Sequence, residues 1–171
     1  MNFSPYQQRR RKRLSLIHWE DVKGKTVLDI GCNTGMFCFE ALRRGAREAT
    51  GLDRDADFVR VANKRARGMR GALFETVDLD KLDLLTLNGP YDVVFLLAML
   101  KHVKDRARLV KMVDVITDEV LYFETNKIRP KSIFPLEAQL AVLKRNSKFE
   151  NYECVGKEYE GDYYFMYRCA R

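Results

Sequence analysis

The stretch Val27-Leu28-Asp29-Ile30-Gly31-Cys32-Asn33-Thr34-Gly35 constrains the fold of this chain more than any other. A short apolar strand carrying one acid runs into two glycines four residues apart, and a fresh apolar run begins at Met36. That order describes a parallel strand, a tight turn and a helix opening directly from it. Glycine lets the backbone adopt angles that a Cβ forbids and pass close to a ligand. A second strand, expected at Glu48 to Leu52, ends in another acid, Asp53. Asp29 and Asp53 then stand at the carboxyl ends of neighbouring strands. Open α/β sheets bind nucleotide-like ligands at that edge, and the second acid is placed to accept ribose hydroxyls.

The loop excludes two common nucleotide sites. A dinucleotide fingerprint needs Gly-x-Gly-x-x-Gly, and the spacing here differs. A phosphate loop needs Lys-Ser/Thr after its last glycine, where this chain has Met36-Phe37. An acid just before the loop repels phosphate and suits a ligand that carries an ammonium or sulfonium cation.

Alternating strand and helix signals continue along the chain. An N-terminal helix is expected over Ser4 to Asp21, with Leu14, Ile17 and His18 on one face. A strand at Thr26 to Ile30 leads to a helix at Gly35 to Arg44, with Phe37, Ala41 and Leu42 inward. A helix at Ala56 to Ala66 should bury Phe58, Val59 and Ala62. Strands follow at Leu73 to Val77 and, after the turn Asn88-Gly89-Pro90, at Tyr91 to Leu97. This last strand is almost continuously apolar, as when helices cover both faces. A helix at Asp105 to Ile116, a strand at Val120 to Glu124 and a helix from Phe134 or Pro135 to Arg145 complete the alternation. Two strand-like runs, Tyr152 to Val155 and Tyr163 to Cys169, flank Glu160-Gly161-Asp162; without a helix between them they should pair antiparallel. The 171 residues, 46% hydrophobic, suit one domain over residues 23–171, preceded by a basic helix or lid over residues 1–22.

The net charge of +7 is uneven. Arg9, Arg10, Arg11, Lys12 and Arg13 are consecutive, and with Lys23 and Lys25 they oppose only Glu20 and Asp21 in the first 25 residues. Such a run can hold nucleic-acid phosphates or form a solvated helix face. The cysteines Cys32, Cys38, Cys154 and Cys169 form no Cys-x-x-Cys pair, so neither a zinc site nor a disulfide framework is indicated, and reduced thiols are expected. No apolar run is long enough to span a bilayer, and Met1 is followed by a polar, basic segment without a secretory pattern; a cytoplasmic location is expected.

The Val27–Gly35 block resembles motif I of the class I S-adenosylmethionine-dependent methyltransferases, whose usual form is acid-x-Gly-x-Gly-x-Gly. Asn33 replaces the middle glycine, and asparagine is the residue that best tolerates a left-handed backbone after glycine. The resemblance covers roughly residues 23–171. It implies a doubly wound, mostly parallel seven-stranded α/β sheet with a C-terminal antiparallel hairpin, with S-adenosylmethionine as cofactor and S-adenosylhomocysteine as product. It implies that Asp29, Gly31, Cys32, Asn33 and Gly35 hold the methionine portion and that Asp53 accepts the ribose hydroxyls. Arg54 would flank the adenine, Asp78 would read its amino group and the Leu79 backbone a ring nitrogen. Asp80 and Asp83 stand close enough to take the Asp78 role with a shift in register. Leu96-Leu97-Ala98 would pass beside the transferable methyl. The approach through Arg13-Leu14, Trp19 and Lys23-Gly24-Lys25 also resembles RNA 5′-phosphate methyltransferases, in which an arginine matched by Arg13 reaches the cofactor carboxylate.

Methyl transfer is an in-line displacement that depends mostly on positioning, and a base is needed only when the acceptor must lose a proton. The Asn/Asp-Pro-Pro-Tyr/Phe motif of amino-methylating nucleic-acid enzymes is absent. Leu97-Ala98-Met99-Leu100-Lys101-His102-Val103 stands there instead. His102 and Glu124 are the candidate bases; Lys101, Lys127, Arg129 and Lys131 are cations near the same edge. The acceptor is a small molecule or RNA. The alternative is a non-catalytic methyltransferase fold that binds cofactor, RNA or a partner subunit. No metal is expected.

Overall fold

The computed structural model describes residues 11–82, 87, 89–126, 135–158 and 164–171. The expected turn at residues 160–162 and the start of the N-terminal helix lie outside them. The described elements run in the order α1 (its described part residues 11–15), β1 (Thr26–Ile30), α2 (Met36–Arg43), β2 (Glu48–Asp53), α3 (Ala56–Arg65), β3 (Ala72–Thr76), β4 (Tyr91–Leu97), α4 (Arg106–Ile116), β5 (Thr117–Glu124), α5 (Leu136–Asn146), β6 (Asn151–Glu158) and β7 (Tyr164–Ala170). Short 3-10 turns occupy Trp19–Val22 and Leu100–His102.

The seven strands form one sheet in the order β3-β2-β1-β4-β5-β7-β6. Strands β1 to β5 are parallel, while β7 runs antiparallel to β5 and β6 antiparallel to β7. The strand order reverses between β1 and β4, and the carboxyl ends there leave a crevice between the diverging crossovers. Register places Asp29 beside Gly51 and Phe95, and Leu97 beside Glu124.

The pleat sends alternate residues to opposite faces. Leu28, Ile30, Val94, Leu96, Leu121 and Phe123 pack under α4 and α5. Val27, Val93, Phe95, Val120 and Tyr122 pack under α2, α3 and the N-terminal segment. Asp29 shares the second face, which brings it near Cys38 of α2.

The expected continuous helix over Ser4 to Asp21 is broken in its described part. Helix α1 stops at residue 15, and a separate 3-10 turn follows at Trp19–Val22. Tertiary bonds favour the break: the Trp19 indole donates to the Leu14 carbonyl at 2.9 Å, and the His18 N–H donates to the Tyr122 hydroxyl at 3.0 Å. Ile17 and Val22 are buried, Trp19 packs edge-on against Phe95, and a Cβ on Gly156 would overlap the Leu16 side chain. Leu14, Leu16, Ile17, Trp19 and Val22 therefore pack into the same core as the strands that follow.

Other boundaries shift by a few residues. Strand β5 begins at Thr117 rather than Val120, directly from α4, because Thr117 pairs with Tyr91 although Asp118 and Glu119 are exposed. Strand β6 extends over Asn151–Glu158, with an irregularity between Cys154 and Gly156. Phe58, expected inward, is 38% exposed, and Leu73 is also exposed on the edge strand β3.

A polar triad fastens the N-terminal segment to the sheet. Arg168 donates to both Asp21 oxygens at 2.7 and 2.9 Å, and the Tyr122 hydroxyl donates to Asp21 Oδ2 at 2.5 Å. Burial alone would raise the Asp21 carboxyl, but its bonds to Arg168 and Tyr122 hold it below the ordinary carboxylate range. Replacing Asp21 by alanine is expected to lower the unfolding free energy by about 2 kcal/mol in urea denaturation at neutral pH. Asp21 binds protons more weakly in the folded chain, so its contribution is present above the ordinary value of 3.8 and disappears as pH falls through the lower folded value. An unchanged urea midpoint at neutral pH would remove this role.

Candidate cofactor site

Three left-handed residues shape the bend after β1. The φ angles are +85° at Gly31, +51° at Asn33 and +82° at Gly35. A Cβ on Gly35 would lie 2.7 Å from the Phe74 ring, and one on Gly31 would overlap the Met99 thioether. Asn33 sustains the conformation with a local bond, its Oδ1 accepting from the Thr34 N–H at 2.8 Å. The bend is tied to the end of β2. The Gly31 and Cys32 N–H groups donate to the Leu52 carbonyl at 2.8 and 3.0 Å, and the Asn33 N–H donates to Asp53 Oδ2 at 2.7 Å.

Asp29 is only 2% exposed. Burial pushes its carboxyl up to about 7; the nearby Arg13 guanidinium opposes that rise and Asp53 reinforces it. The Cys38 thiol donates to Asp29 Oδ2 at 3.9 Å. A cation delivered beside such a group favours its ionised form. Asp53 is half-buried, and its Oδ1 accepts from the Asp55 N–H at 3.0 Å. Asp53 thus braces the glycine bend and the start of α3 while retaining lone pairs toward solvent, since a carboxylate offers about four acceptor sites.

The structure gathers most of the residues singled out from sequence. Arg13, Asp29, Gly31, Cys32, Asn33, Asp53, Arg54, Asp78, Leu79, Leu97 and His102 line one cavity of about 430 Å³. Gly35 is not part of that lining and packs against Phe74. Asp78 is exposed and accepts from the Asp80 N–H at 3.1 Å, whereas Asp80 Oδ1 accepts from the Lys104 N–H at 2.9 Å and braces the next loop. Asp83, Lys127, Arg129 and Lys131 lie outside the described residues, as do Arg9 and Arg10; Arg11 and Lys12 are exposed on α1.

Arg13 and Glu124 form a bidentate pair. Arg13 Nε donates to Glu124 Oε1 at 2.8 Å and its terminal nitrogen to Oε2. The Glu124 side chain is 3% exposed, so it reaches the cavity through Arg13. A carboxylate bound in this fork geometry favours its ionised form. His102 is exposed at the cavity rim, where partial burial, Lys101 and Arg54 lower its pKa while Asp53 opposes them. The neutral imidazole is therefore the favoured form at pH 7. Burial, reinforced by Asp29 and Asp53, pushes the Cys32 thiol far up, so Cys32 contributes backbone and volume and no thiolate.

Sequence reasoning missed Phe58, Val77, Met99 and Val103, which also line the cavity. Phe58 follows the helical core pattern of α3, and only its place in the first turn after Asp53 signals the opening. Met99 lies within the segment after β4, and the absent Cβ of Gly31 marks its position. Among the described residues no helix is long and apolar enough to cross a membrane.

Comparisons with known proteins agree with this geometry. Residues 28–117 match a family model described as a methyltransferase domain. The ubiquinone biosynthesis O-methyltransferase of Neisseria meningitidis serogroup C is 32% identical over 124 residues, covering 68% of this chain and 50% of that protein. The ribosomal protein L11 methyltransferase of Caulobacter sp. (strain K31) is 40% identical over 74 residues, covering 43% of this chain and 26% of that one. The chain spans about half the length of the ubiquinone-pathway relatives. Among solved structures, an S-adenosylmethionine dependent methyltransferase from Mesorhizobium loti superposes with a TM-score of 0.72 at 21% identity, covering 94% of this chain and 96% of that one. Magnesium protoporphyrin IX methyltransferase from Synechocystis PCC 6803, solved with bound SAM, gives 0.70 at 20% identity, covering 97% and 79%. At these identities the structural likeness carries the fold.

Proposed function

This chain belongs to the class I methyltransferase family, and we propose that it transfers the methyl group of S-adenosylmethionine to a small-molecule acceptor. One observation carries the reading: Asp29 and Asp53 flank a left-handed bend in a single cavity at the reversal of strand order. The donor set suits the cofactor. Asp29, poised near neutrality, suits its ammonium group, and Asp53 suits two adjacent ribose hydroxyls. Asp78 and the Leu79 backbone suit the polar edge of adenine, with Phe58 and Val103 offering apolar surface. Arg13 supplies a cation for a carboxylate.

When bound, S-adenosylmethionine supplies a sulfonium-activated methyl carbon. The chain's task is alignment. Leu97, Ala98 and Met99 form the wall after β4. His102, with the neutral form favoured at pH 7, can take a proton from a hydroxyl acceptor. Glu124 serves better as the holder of Arg13 than as a proton acceptor. Oxygen as the acceptor atom is supported by the relatives named as O-methyltransferases. The cytosol is the proposed compartment, supported by four cysteines that stand as free thiols.

A second reading, an RNA acceptor, is favoured by one observation: α1 presents exposed Arg11 and Lys12 next to Arg13 at the cavity. Arg9 to Arg13 would then guide phosphates to the mouth. Changing Arg9, Arg10, Arg11 and Lys12 together to alanine should weaken RNA retention and flatten its salt dependence at constant cofactor affinity. Unchanged retention would eliminate this reading.

Calorimetry with S-adenosylhomocysteine tests the central proposal: the wild-type chain should bind it and bind NAD at least 100-fold more weakly. Asp53→Ala should weaken that affinity roughly 10- to 100-fold, as expected for loss of one charge-assisted bond of about 1.5–3 kcal/mol. Equal affinity in the variant would refute the ribose assignment. Affinity should also rise with pH toward a plateau above about 7, because the ligand ammonium selects ionised Asp29. Asp29→Asn should remove that pH dependence, and a flat wild-type profile between pH 6 and 8 would contradict the assignment.

A further inference from the structure

We propose that Asn126 is a positioning residue for the cavity: its buried side-chain amide, itself held by Gln139, fixes the turn after β4 in the conformation that sets Met99 and His102 into the cavity wall. The inference rests on the cofactor reading above and assigns a role to a residue outside the cavity lining. The turn contributes Leu97, Ala98, Met99, His102 and Val103 to that lining.

Ala98 adopts φ +58°. A residue with a Cβ rarely does so, and the conformation persists where the surroundings over-determine it. Asn126 supplies that determination. Its Nδ2 donates to the Ala98 carbonyl, and its Oδ1 accepts from the Lys101 N–H at 2.8 Å. One amide therefore grips both ends of the turn. The Ala98 N–H donates to the Glu124 carbonyl at 2.9 Å, and the His102 N–H closes the 3-10 turn on the Met99 carbonyl at 2.8 Å.

Asn126 is 3% exposed and Gln139 fully buried. They bond reciprocally: the Asn126 N–H donates to Gln139 Oε1 at 2.6 Å, and Gln139 Nε2 donates to the Asn126 carbonyl at 3.3 Å. A buried polar network with its partners in place rigidifies what it holds, whereas loss of one member leaves costly unpaired groups. The pair links α5 to the turn. The turn in turn presses the Met99 thioether into the space that Gly31 leaves by lacking a Cβ. A displaced turn would move Met99 against the glycine bend.

Hydrogen exchange and S-adenosylhomocysteine calorimetry on the full chain test the proposal. In Asn126→Ala, amides of residues 98–102 should exchange at least tenfold faster, with β1 and α2 unchanged, and the ligand should bind about tenfold more weakly. Glycine adopts the left-handed conformation without help. Ala98→Gly in the Asn126→Ala background should therefore recover part of the affinity, which a merely structural role for Asn126 would not produce. Should Asn126→Ala fail to fold, Asn126→Asp carries the same test, because it keeps the shape, removes the amide donor and sets a carboxyl oxygen against the Ala98 carbonyl. Unchanged exchange at residues 98–102, a uniform rise across the domain, or absence of rescue would overturn the proposal. If the wild-type chain binds no S-adenosylhomocysteine, the cofactor reading fails, while the exchange pattern still decides whether Asn126 holds the turn.

Discussion

The bend between β1 and α2 is held by β2, and the site depends on that bond pattern. Two successive N–H groups converge on the Leu52 carbonyl and a third on Asp53. Left-handed backbone is uphill for a residue with a Cβ, and here it is confined to two glycines and one asparagine. The constraint has consequences in both directions. Toward the interior, Phe74 and Met99 close over positions where a side chain would stand. Toward solvent, the same contortion leaves an open crevice between two acids. Sheet order supplies the crevice, and the bend gives it a floor.

The charges around this floor are graded by burial. Asp29 is buried, and desolvation pushes its carboxyl up to about 7. Glu124 is equally buried, and Arg13 meets it with two bonds. Asp53 is partly buried and Asp78 is exposed. A ligand with a cationic, carboxylate-bearing end and a hydroxyl-rich middle meets a complementary group at each depth. An all-anionic ligand such as pyrophosphate would meet the carboxylates of Asp29, Asp53 and Asp78.

The strands and the motif were legible in the sequence because they obey local rules. Tyr91 to Leu97 is apolar except at Asp92, since helices cover both faces, and the expected bounds match those of β4. Asp29 and Asp53 announced themselves as acids at strand ends. Features governed by distant partners were opaque. Leu14, Ile17 and His18 fit a helix, and only Tyr122, more than a hundred residues away, reveals why the helix is interrupted. Asp118 and Glu119 look like loop, yet backbone pairing at Thr117 recruits them into β5. Asn126 and Gln139 carry no hydrophobic signal and form no motif, so their pairing is visible only once β5 and α5 are folded together.

The triad at Asp21 bears on how the molecule can be divided. Trp19 caps Phe95, which stacks in turn on Phe37 and Tyr122, and Arg168 spends its guanidinium on Asp21. A fragment trimmed to begin at the first strand would lay this aromatic stack open to water and strand a cation near the far edge of the sheet. Residues 14–22 are thus a wall of the building and not its porch.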